Sequence, residues 1–203
     1  MRKEITMRAK DTRKRFFIDI ETSGLKPYEG AVILQIGCIT DDPEDGEFSK
    51  TILPTNEQYG RRSPKAIEVN GLTWEVLQKN GESFEEVREA FIRYLSRAGI
   101  EDGVFVGQNP GFDMGFLKYY MKADLDYIGA PYERPVDVRN MYSEAIRRGR
   151  VITSEQGRSG AIISEVLGVE PEPEVHDGLE GAKVVKRHYD KLKELLASAP
   201  KLG

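Results

Sequence analysis

The sequence is poor in the residues that build disulfide frameworks and soft-metal sites. Of its 203 residues, one is cysteine, two are histidine and one is tryptophan. The lone Cys38 excludes an internal disulfide and a cysteine-based zinc site. Because it stands inside an apolar run, we expect a buried thiol in a reducing compartment, and hence a cytoplasmic protein.

Long apolar runs are also missing. The longest candidate, residues 31–39, is interrupted by Gln35 and Gly37, and a membrane-spanning helix needs roughly 18 to 20 apolar residues. The first sixteen residues are rich in Lys and Arg but contain no apolar segment ahead of a cleavage site, so we do not expect them to be a secretory signal. We therefore expect no membrane partner.

Neither sign of charge dominates. The 30 Lys and Arg residues against 34 Asp and Glu residues leave a net charge of -4, which excludes a global polycation, so any contact with nucleic acid must be local. The local basic groups are the amino-terminal arm, the pair Arg61 and Arg62, and the cluster at 147–150. Each is consistent with a solvated face or with a phosphate-binding patch.

The chain does contain enough apolar material for one core, since 39% of its residues are hydrophobic. The length predicts one domain or at most two small ones, and we assign a single domain to residues 15–197, preceded by a basic arm, 1–14, and followed by a short tail, 198–203.

The order of apolar segments predicts an α/β fold. Three neighbouring runs, 16–20, 31–40 and 48–53, indicate an antiparallel meander, and two shorter strands are expected at 103–107 and 135–138. Helical spacing recurs between and after the later strands. This order favours one layered α/β domain with a mixed sheet over separate domains.

Local signals place several helix ends. Ser83 with Glu86 forms a capping-box pattern, and Ser63 before a proline begins a shorter helix. The last helix is expected from about His176 to Leu196. His188, in a Lys- and Arg-rich part of that helix, is predicted to be solvated.

Two carboxylates fall on an otherwise apolar strand. Burying Asp19 costs several kcal/mol unless it is paired or binds a metal. Glu21, two residues on, projects from the same face of the strand, and two such charges are tolerable chiefly when a cation lies between them. Oxygen ligands of this kind suit Mg²⁺ or Mn²⁺.

Two further residues are candidates for the same site. Asp113 lies early in a helix that follows a buried strand, where it either complements the helix dipole or joins a site at the end of the sheet. His176 is either a surface or capping residue or a general base.

Three segments carry a specific resemblance. They are Phe-Ile-Asp-Ile-Glu-Thr-Ser-Gly-Leu at 17–25, Val-Gly-Gln-Asn-Pro-Gly-Phe-Asp-Met at 106–114, and His-Asp-Gly-Leu-Glu-Gly-Ala at 176–182. In order and spacing they resemble the three exonuclease motifs of the DEDDh family, which includes ribonuclease T and the epsilon proofreading subunit of bacterial replicative polymerase. The resemblance extends over roughly residues 15 to 196.

The resemblance implies a ribonuclease H-like fold, with a mixed five-stranded sheet flanked by helices. It also implies 3'-to-5' removal of nucleotides from single-stranded DNA or RNA ends, using two Mg²⁺ or Mn²⁺ ions. Asp19, Glu21 and Asp113 match the family's metal-binding acids, and His176 matches its general base.

The residues expected near the substrate are Thr22, Gly24, Leu25 and Asn109. Leu25 matches the apolar position that packs against the terminal base in relatives, or it closes the core as a loop residue. A polymerase partner and a homodimer both remain open, as does the choice between DNA and RNA.

One position departs from the family pattern. The family places an aspartate five residues after the histidine, and here that residue is Gly181. Asp177 and Glu180 are the neighbouring candidates for a shifted ligand. Gly181 is also consistent with a weakened metal site or with a loss of activity, so the alternative function is an impaired exonuclease-fold module that binds nucleic-acid ends or a polymerase partner.

Overall fold

A computed structural model of the chain describes residues 12–155 and 157–198. Most of the predicted basic arm and of the predicted tail lies outside the described residues. The first strand begins at Lys14 and the last helix ends at Ala197, and the predicted domain limits stay a prediction.

The sheet is mixed. Its strands within the described residues are β1 (Lys14–Thr22), β2 (Ile33–Thr40), β3 (Glu47–Thr51), β4 (Gly103–Gly107) and β5 (Val136–Asp137). They lie in the order β3-β2-β1-β4-β5, with β3-β2-β1 antiparallel and β1-β4-β5 parallel. The predicted meander and the mixed five-stranded sheet are therefore confirmed.

Helices cover both faces of this sheet. They are α1 (Asn56–Gly60), α2 (Pro64–Asn70), α3 (Trp74–Asn80), α4 (Phe84–Arg97), α5 (Gly111–Tyr127), α6 (Val138–Arg147), α7 (Gly160–Leu167) and α8 (Gly178–Ala197). Residues of α4 and α5 pack in one cluster with Phe16 and Ile18, whereas α6, α7 and α8 pack in another with Phe17. Since strand residues alternate between faces, Asp19 and Glu21 share the α8 face with Phe17.

The local signals for helix ends hold at several places. The capping box of Ser83 and Glu86 begins α4, and α2 begins at Pro64, directly after Ser63. The last helix begins at Gly178 with Asp177 as its N-cap, not at His176, because the Asp177 side chain accepts the free backbone N–H groups of Leu179 and Glu180.

The prediction that His188 is solvated is wrong. Its side chain is fully buried between α8 and α7, where it shares a 2.7 Å hydrogen bond with the hydroxyl of Ser164. Burial lowers the pKa of His188 to about 4, so the imidazole is neutral at physiological pH. Cys38 is buried in the other cluster, as predicted.

Across residues 12–155 and 157–198, the helices lack the combination of length and apolar character needed to cross a bilayer.

Candidate active site

The two strand carboxylates lie at the carboxyl-terminal end of β1, the central strand. Opposite them on β2 are Gly37, paired with Asp19, and Gln35, paired with Glu21. The pairing register shifts between Glu21 and Thr22. This irregularity ends the regular ladder at the point where the chain turns toward the cleft.

Asp113 reaches the same place from the neighbouring strand. The turn after β4 includes Asn109 in the left-handed conformation, φ 64°, and α5 begins immediately after it. Asp113 is 3% exposed in the first turn of α5, and its Oδ1 accepts the backbone N–H of Ile20 at 3.2 Å. The side chain is therefore held against β1 between the two strand carboxylates.

The start of α8 is held on β2 by backbone contact and by one amide side chain. Gly37 has no room for a side chain, because a Cβ there would lie 2.0 Å from the carbonyl of Gly178. The Gln35 side chain accepts the N–H of Gly178 and donates to Asp177 Oδ2, both at 2.8 Å. These contacts determine where His176 and Gly181 stand relative to β1.

The structure explains why glycine, a residue of low helix propensity, occupies position 181 in α8. A Cβ at this position would lie 2.3 Å from Asp19 Oδ2 and 2.7 Å from Asp19 Cγ. Glycine thus allows α8 to approach the Asp19 carboxylate. Any side chain at position 181 requires that carboxylate to move.

His176 lies just before α8, and its backbone N–H donates to the carbonyl of Val69 at 3.0 Å. Its Nδ1 is 3.6 Å from Oε1 of Glu172, a residue of the preceding loop. One potential ligand atom each from Glu21, Glu172 and His176 lies within 4.8 Å of the other two.

These elements enclose one cleft of ≈ 380 Å³. The residues lining it include Asp19, Glu21, Thr22, Gly24, Leu25, Asn109, Asp113, Glu172, His176 and Gly181. Eight of these residues are among the ten predicted for the site, and the structure brings them together. Glu172 and Gly181 are not among the ten. The other two predicted residues, Asp177 and Glu180, do not line the cleft.

Both of these acids make other contacts. Asp177 caps α8 and accepts from Gln35. Glu180 pairs with Lys183 at 3.1 Å, and Lys183 also contacts Glu47 at 3.2 Å. Each would have to leave a partner to reach an ion in the cleft.

The residues predicted to contact substrate all line the cleft. Leu25 is 79% exposed, which excludes the interpretation that it closes the core. The hydroxyl of Thr22 donates to the carbonyl of Gly24 at 2.7 Å and so shapes the turn before Leu25. Asn109 receives a hydrogen bond from Arg139 on its side-chain oxygen.

In two of the three basic groups, most arginines have partners within the described residues. Arg61 pairs with Glu57, and the guanidinium of Arg62 lies 4.3 Å from the ring centre of Tyr59. In the other cluster, two arginines share one carboxylate, with Arg147 and Arg148 each 2.6 Å from Glu144. These contacts favour solvated, self-paired faces over phosphate-binding patches.

Burial and mutual repulsion raise the pKa values of the cleft carboxyls. Burial, followed by the charges of Asp113 and Glu21, raises the pKa of Asp19 well above its usual range. Burial and the Glu172 charge raise the pKa of Glu21 to about 8, against the opposing hydrogen bond from Asn70. Burial raises the pKa of Asp113 to about 7. Such a cluster holds protons unless a cation neutralises it.

These shifts predict that the metal-free protein loses stability as the pH rises from 6.5 to 8. In this range the unfolded carboxyls, with pKa values near 4, are already ionised, whereas Glu21 and Asp113 still give up protons unfavourably in the fold. We expect the free energy of unfolding to fall by a few kcal/mol over the range. His188 acts in the opposite direction, but mainly below pH 6.5, where the unfolded imidazole gains its proton.

Chemical denaturation of EDTA-treated protein at pH 6.5, 7.25 and 8 measures this slope. Mg²⁺ or Mn²⁺ should stabilise the protein most at pH 8, and the Glu21→Gln variant should flatten the metal-free slope. A metal-free protein that is equally stable at pH 6.5 and 8 would contradict the assigned shifts.

Sequence reasoning missed three residues that build the site. Gln35 holds the start of α8, and Asn70 donates from Nδ2 to the carbonyl of Thr22 at 3.2 Å. Glu172 is the third, and its only local signal is its place between two prolines just before His176. None belongs to a motif, because Gln35 and Asn70 contact segments far away along the chain, and so does Glu172 where it approaches Glu21.

Comparison with known proteins identifies the family. The RNase_T family, described as Exonuclease, matches residues 16–188. The chain belongs to this family, and the resemblance to DEDDh exonucleases is confirmed. It is thus an exonuclease domain of the DEDD type.

Two relatives illustrate the range of proteins that contain such a domain. The chain is 29% identical over 192 residues to the 3'-5' DNA exonuclease Cap18 of Escherichia coli, covering 90% of this chain and 96% of that protein. It is 30% identical over 185 residues to the PolC-type DNA polymerase III of Thermotoga maritima, covering 88% of this chain. The chain spans 12% of that polymerase.

Solved structures agree on the fold. The cell-death related nuclease 4 (CRN-4) superposes with a TM-score of 0.69 at 17% identity, over 90% of this chain and 64% of that one. The nuclease domain of 3'hExo, a DEDDh family member solved with rAMP, gives a TM-score of 0.64 at 15% identity, over 89% of this chain and 92% of that one. The ribonuclease H-like expectation is confirmed.

Proposed function

We propose that this chain is a divalent-metal-dependent 3'-to-5' exonuclease that removes nucleotides from single-stranded DNA or RNA ends. The observation that carries the proposal is the convergence of Asp19, Glu21, Asp113 and His176 in one cleft of a family exonuclease domain. The name of Cap18, which the chain matches along nearly its whole length, supports the direction of cleavage.

The donor set fits hard divalent cations. Asp19, Glu21 and Asp113 offer carboxylate oxygens in a buried cluster, and Mg²⁺ and Mn²⁺ prefer oxygen ligands. These three residues would hold the ions. Such ions, when bound, lower the pKa of an attacking water and neutralise charge that develops on the phosphodiester.

The chain's own residues have separate roles in this proposal. His176 takes the proton of the attacking water. Its Nδ1 faces Glu172, so Nε2 is the nitrogen that accepts this proton. The exposed Leu25 packs against the terminal base, and the turn at Thr22 and Gly24 positions it. Asn109 also lines the cleft.

The test is degradation of 5'-labelled single-stranded DNA and RNA of equal length with Mg²⁺ or Mn²⁺. We expect a ladder of products that shorten from the 3' end and that disappear in EDTA. Labelled product of one nucleotide without intermediates would indicate 5' attack and would contradict the proposed direction. Comparing the two substrates decides between DNA and RNA.

Gly181 supports a second candidate, a module of the same fold that binds nucleic-acid ends or a polymerase partner without cutting them. This candidate predicts tight end binding without metal-dependent turnover. Gly181→Asp separates the two candidates: cleavage only in this variant identifies a disabled exonuclease, whereas cleavage by the unsubstituted chain supports the first candidate. Because a side chain at 181 displaces the Asp19 carboxylate, Gly181→Ala is the steric control.

A further inference from the structure

Glu172 supplies a carboxylate to a cleft that lacks the acid expected on α8. It comes from the loop before the helix, and it faces the cleft beside Glu21 and His176. One potential ligand atom from each of these three residues lies within 4.8 Å of the others. The cleft therefore contains a fourth carboxylate beside Asp19, Glu21 and Asp113. This fourth carboxylate comes from the loop before α8 and not from α8 itself.

The loop holds Glu172 in a restricted conformation. Pro171 precedes it and Pro173 follows it, and a proline limits both its own φ angle and the backbone of the residue before it. Outside the prolines, the carbonyl of Glu170 accepts from Arg187 Nε at 3.2 Å, and the N–H of His176 donates to Val69. The loop is thus attached at both ends to helices that line or support the cleft.

One oxygen of Glu172 is buried without a hydrogen-bond partner. Within residues 12–155 and 157–198, no group forms a hydrogen bond with Oε1, and His176 Nδ1 lies 3.6 Å away. A buried carboxylate oxygen without a donor is costly, and the neighbouring Glu21 carboxylate adds repulsion. A cation shared by Glu172 and Glu21 would remove both costs.

The position that carries the acid in the family has no room for a side chain while the Asp19 carboxylate stays where it is. At Gly181 the first side-chain atom would already collide with the Asp19 carboxylate. Asp177 and Glu180, the nearest acids on or next to α8, are held by the helix cap and by Lys183. Among these acids, Glu172 alone lines the cleft.

We propose that Glu172 is a ligand of the divalent ion held by Glu21 and replaces the acid that is absent at position 181. The inference rests on the proposed function only in taking that ion to be the nuclease's metal.

The test measures Mn²⁺ binding directly, by titration calorimetry on the full chain without nucleic acid. Glu172→Gln keeps the size of the side chain and removes its charge. We expect it to weaken Mn²⁺ binding about 10-fold or more, because even residues that only support metal ligands contribute 10-fold to 100-fold. Glu174→Gln is the matched control, since this exposed acid of the same loop does not line the cleft. It should stay within about twofold of the parent.

Unchanged Mn²⁺ affinity in Glu172→Gln would overturn the proposal, and so would absence of Mn²⁺ binding by the unsubstituted chain. Unchanged affinity with a shifted pH profile of cleavage would instead assign Glu172 to positioning His176. If Glu172→Gln does not fold, Glu172→Asp, shorter by one methylene, must show the weaker binding. A chain that binds Mn²⁺ through Glu172 but cleaves nothing would reject the proposed function and leave this inference standing.

Discussion

Replacing Asp19 with asparagine is expected to reduce metal-dependent cleavage strongly while the metal-free protein becomes more stable. The Asp19 carboxylate interacts electrostatically with Asp113 and Glu21, and it is the group that a Cβ at Gly181 would meet, so its charge is central to the cluster. Losing one charge-stabilising group from an active site costs about 10²-fold to 10³-fold in turnover. Turnover is measured on labelled single strands at saturating Mn²⁺.

The expected gain in stability comes from the same charge. The pKa of Asp19 is raised well above its usual range by burial and by its acidic neighbours, so the folded protein must keep a proton that the unfolded chain has already released at pH 8. Asp19→Asn removes this cost and should therefore increase the free energy of unfolding at pH 8 in EDTA, measured by urea denaturation.

Asp102→Asn is the matched control, because Asp102 is exposed and precedes β4, at the opposite end of the parallel strands from the cleft. It should change neither turnover nor stability appreciably. Full turnover by Asp19→Asn would exclude Asp19 as a metal ligand. If Asp19→Asn loses turnover because it unfolds, the variant no longer supports a role of Asp19 in metal binding.

Replacing Gly37 with alanine is expected to damage the fold and the site together. The added Cβ would lie 2.0 Å from the backbone carbonyl of Gly178 and 2.3 Å from the nitrogen of Leu179. These backbone atoms cannot rotate away, so α8 must move off the sheet. Forcing a methyl group into a packed interior costs about 1–3 kcal/mol, and we expect about 3 kcal/mol here.

The displacement should also reduce cleavage. His176 and Gly181 flank Gly178, and a misplacement of about 1 Å in an active site reduces activity about 10²-fold. Gly115→Ala provides the control, since this exposed glycine inside α5 has no atom within 4 Å of an added Cβ. It should gain about 1 kcal/mol from helix propensity. Equal stability of Gly37→Ala and the parent in urea would contradict the close packing of α8 on β2.

Much of the fold could be predicted because its signals are local. Runs of β-branched and aromatic residues predict β1, β2 and β4, and capping residues predict the starts of α2 and α4. The wrong prediction for His188 has a tertiary cause. A charged neighbourhood along the chain does not reveal that α7 covers that side of α8.

What the sequence by itself determined is the set of elements, the shared face of Asp19 and Glu21, and the motifs that identify the exonuclease family. These follow from periodicity within a few residues and from motif spacing. The tertiary structure alone decided that Glu172 lies beside Glu21, that Gln35 holds the start of α8, and that Gly181 leaves room for the Asp19 carboxylate. Each of these depends on how closely α8 and its preceding loop approach the sheet, and such a distance is set by packing between segments that are far apart in the chain.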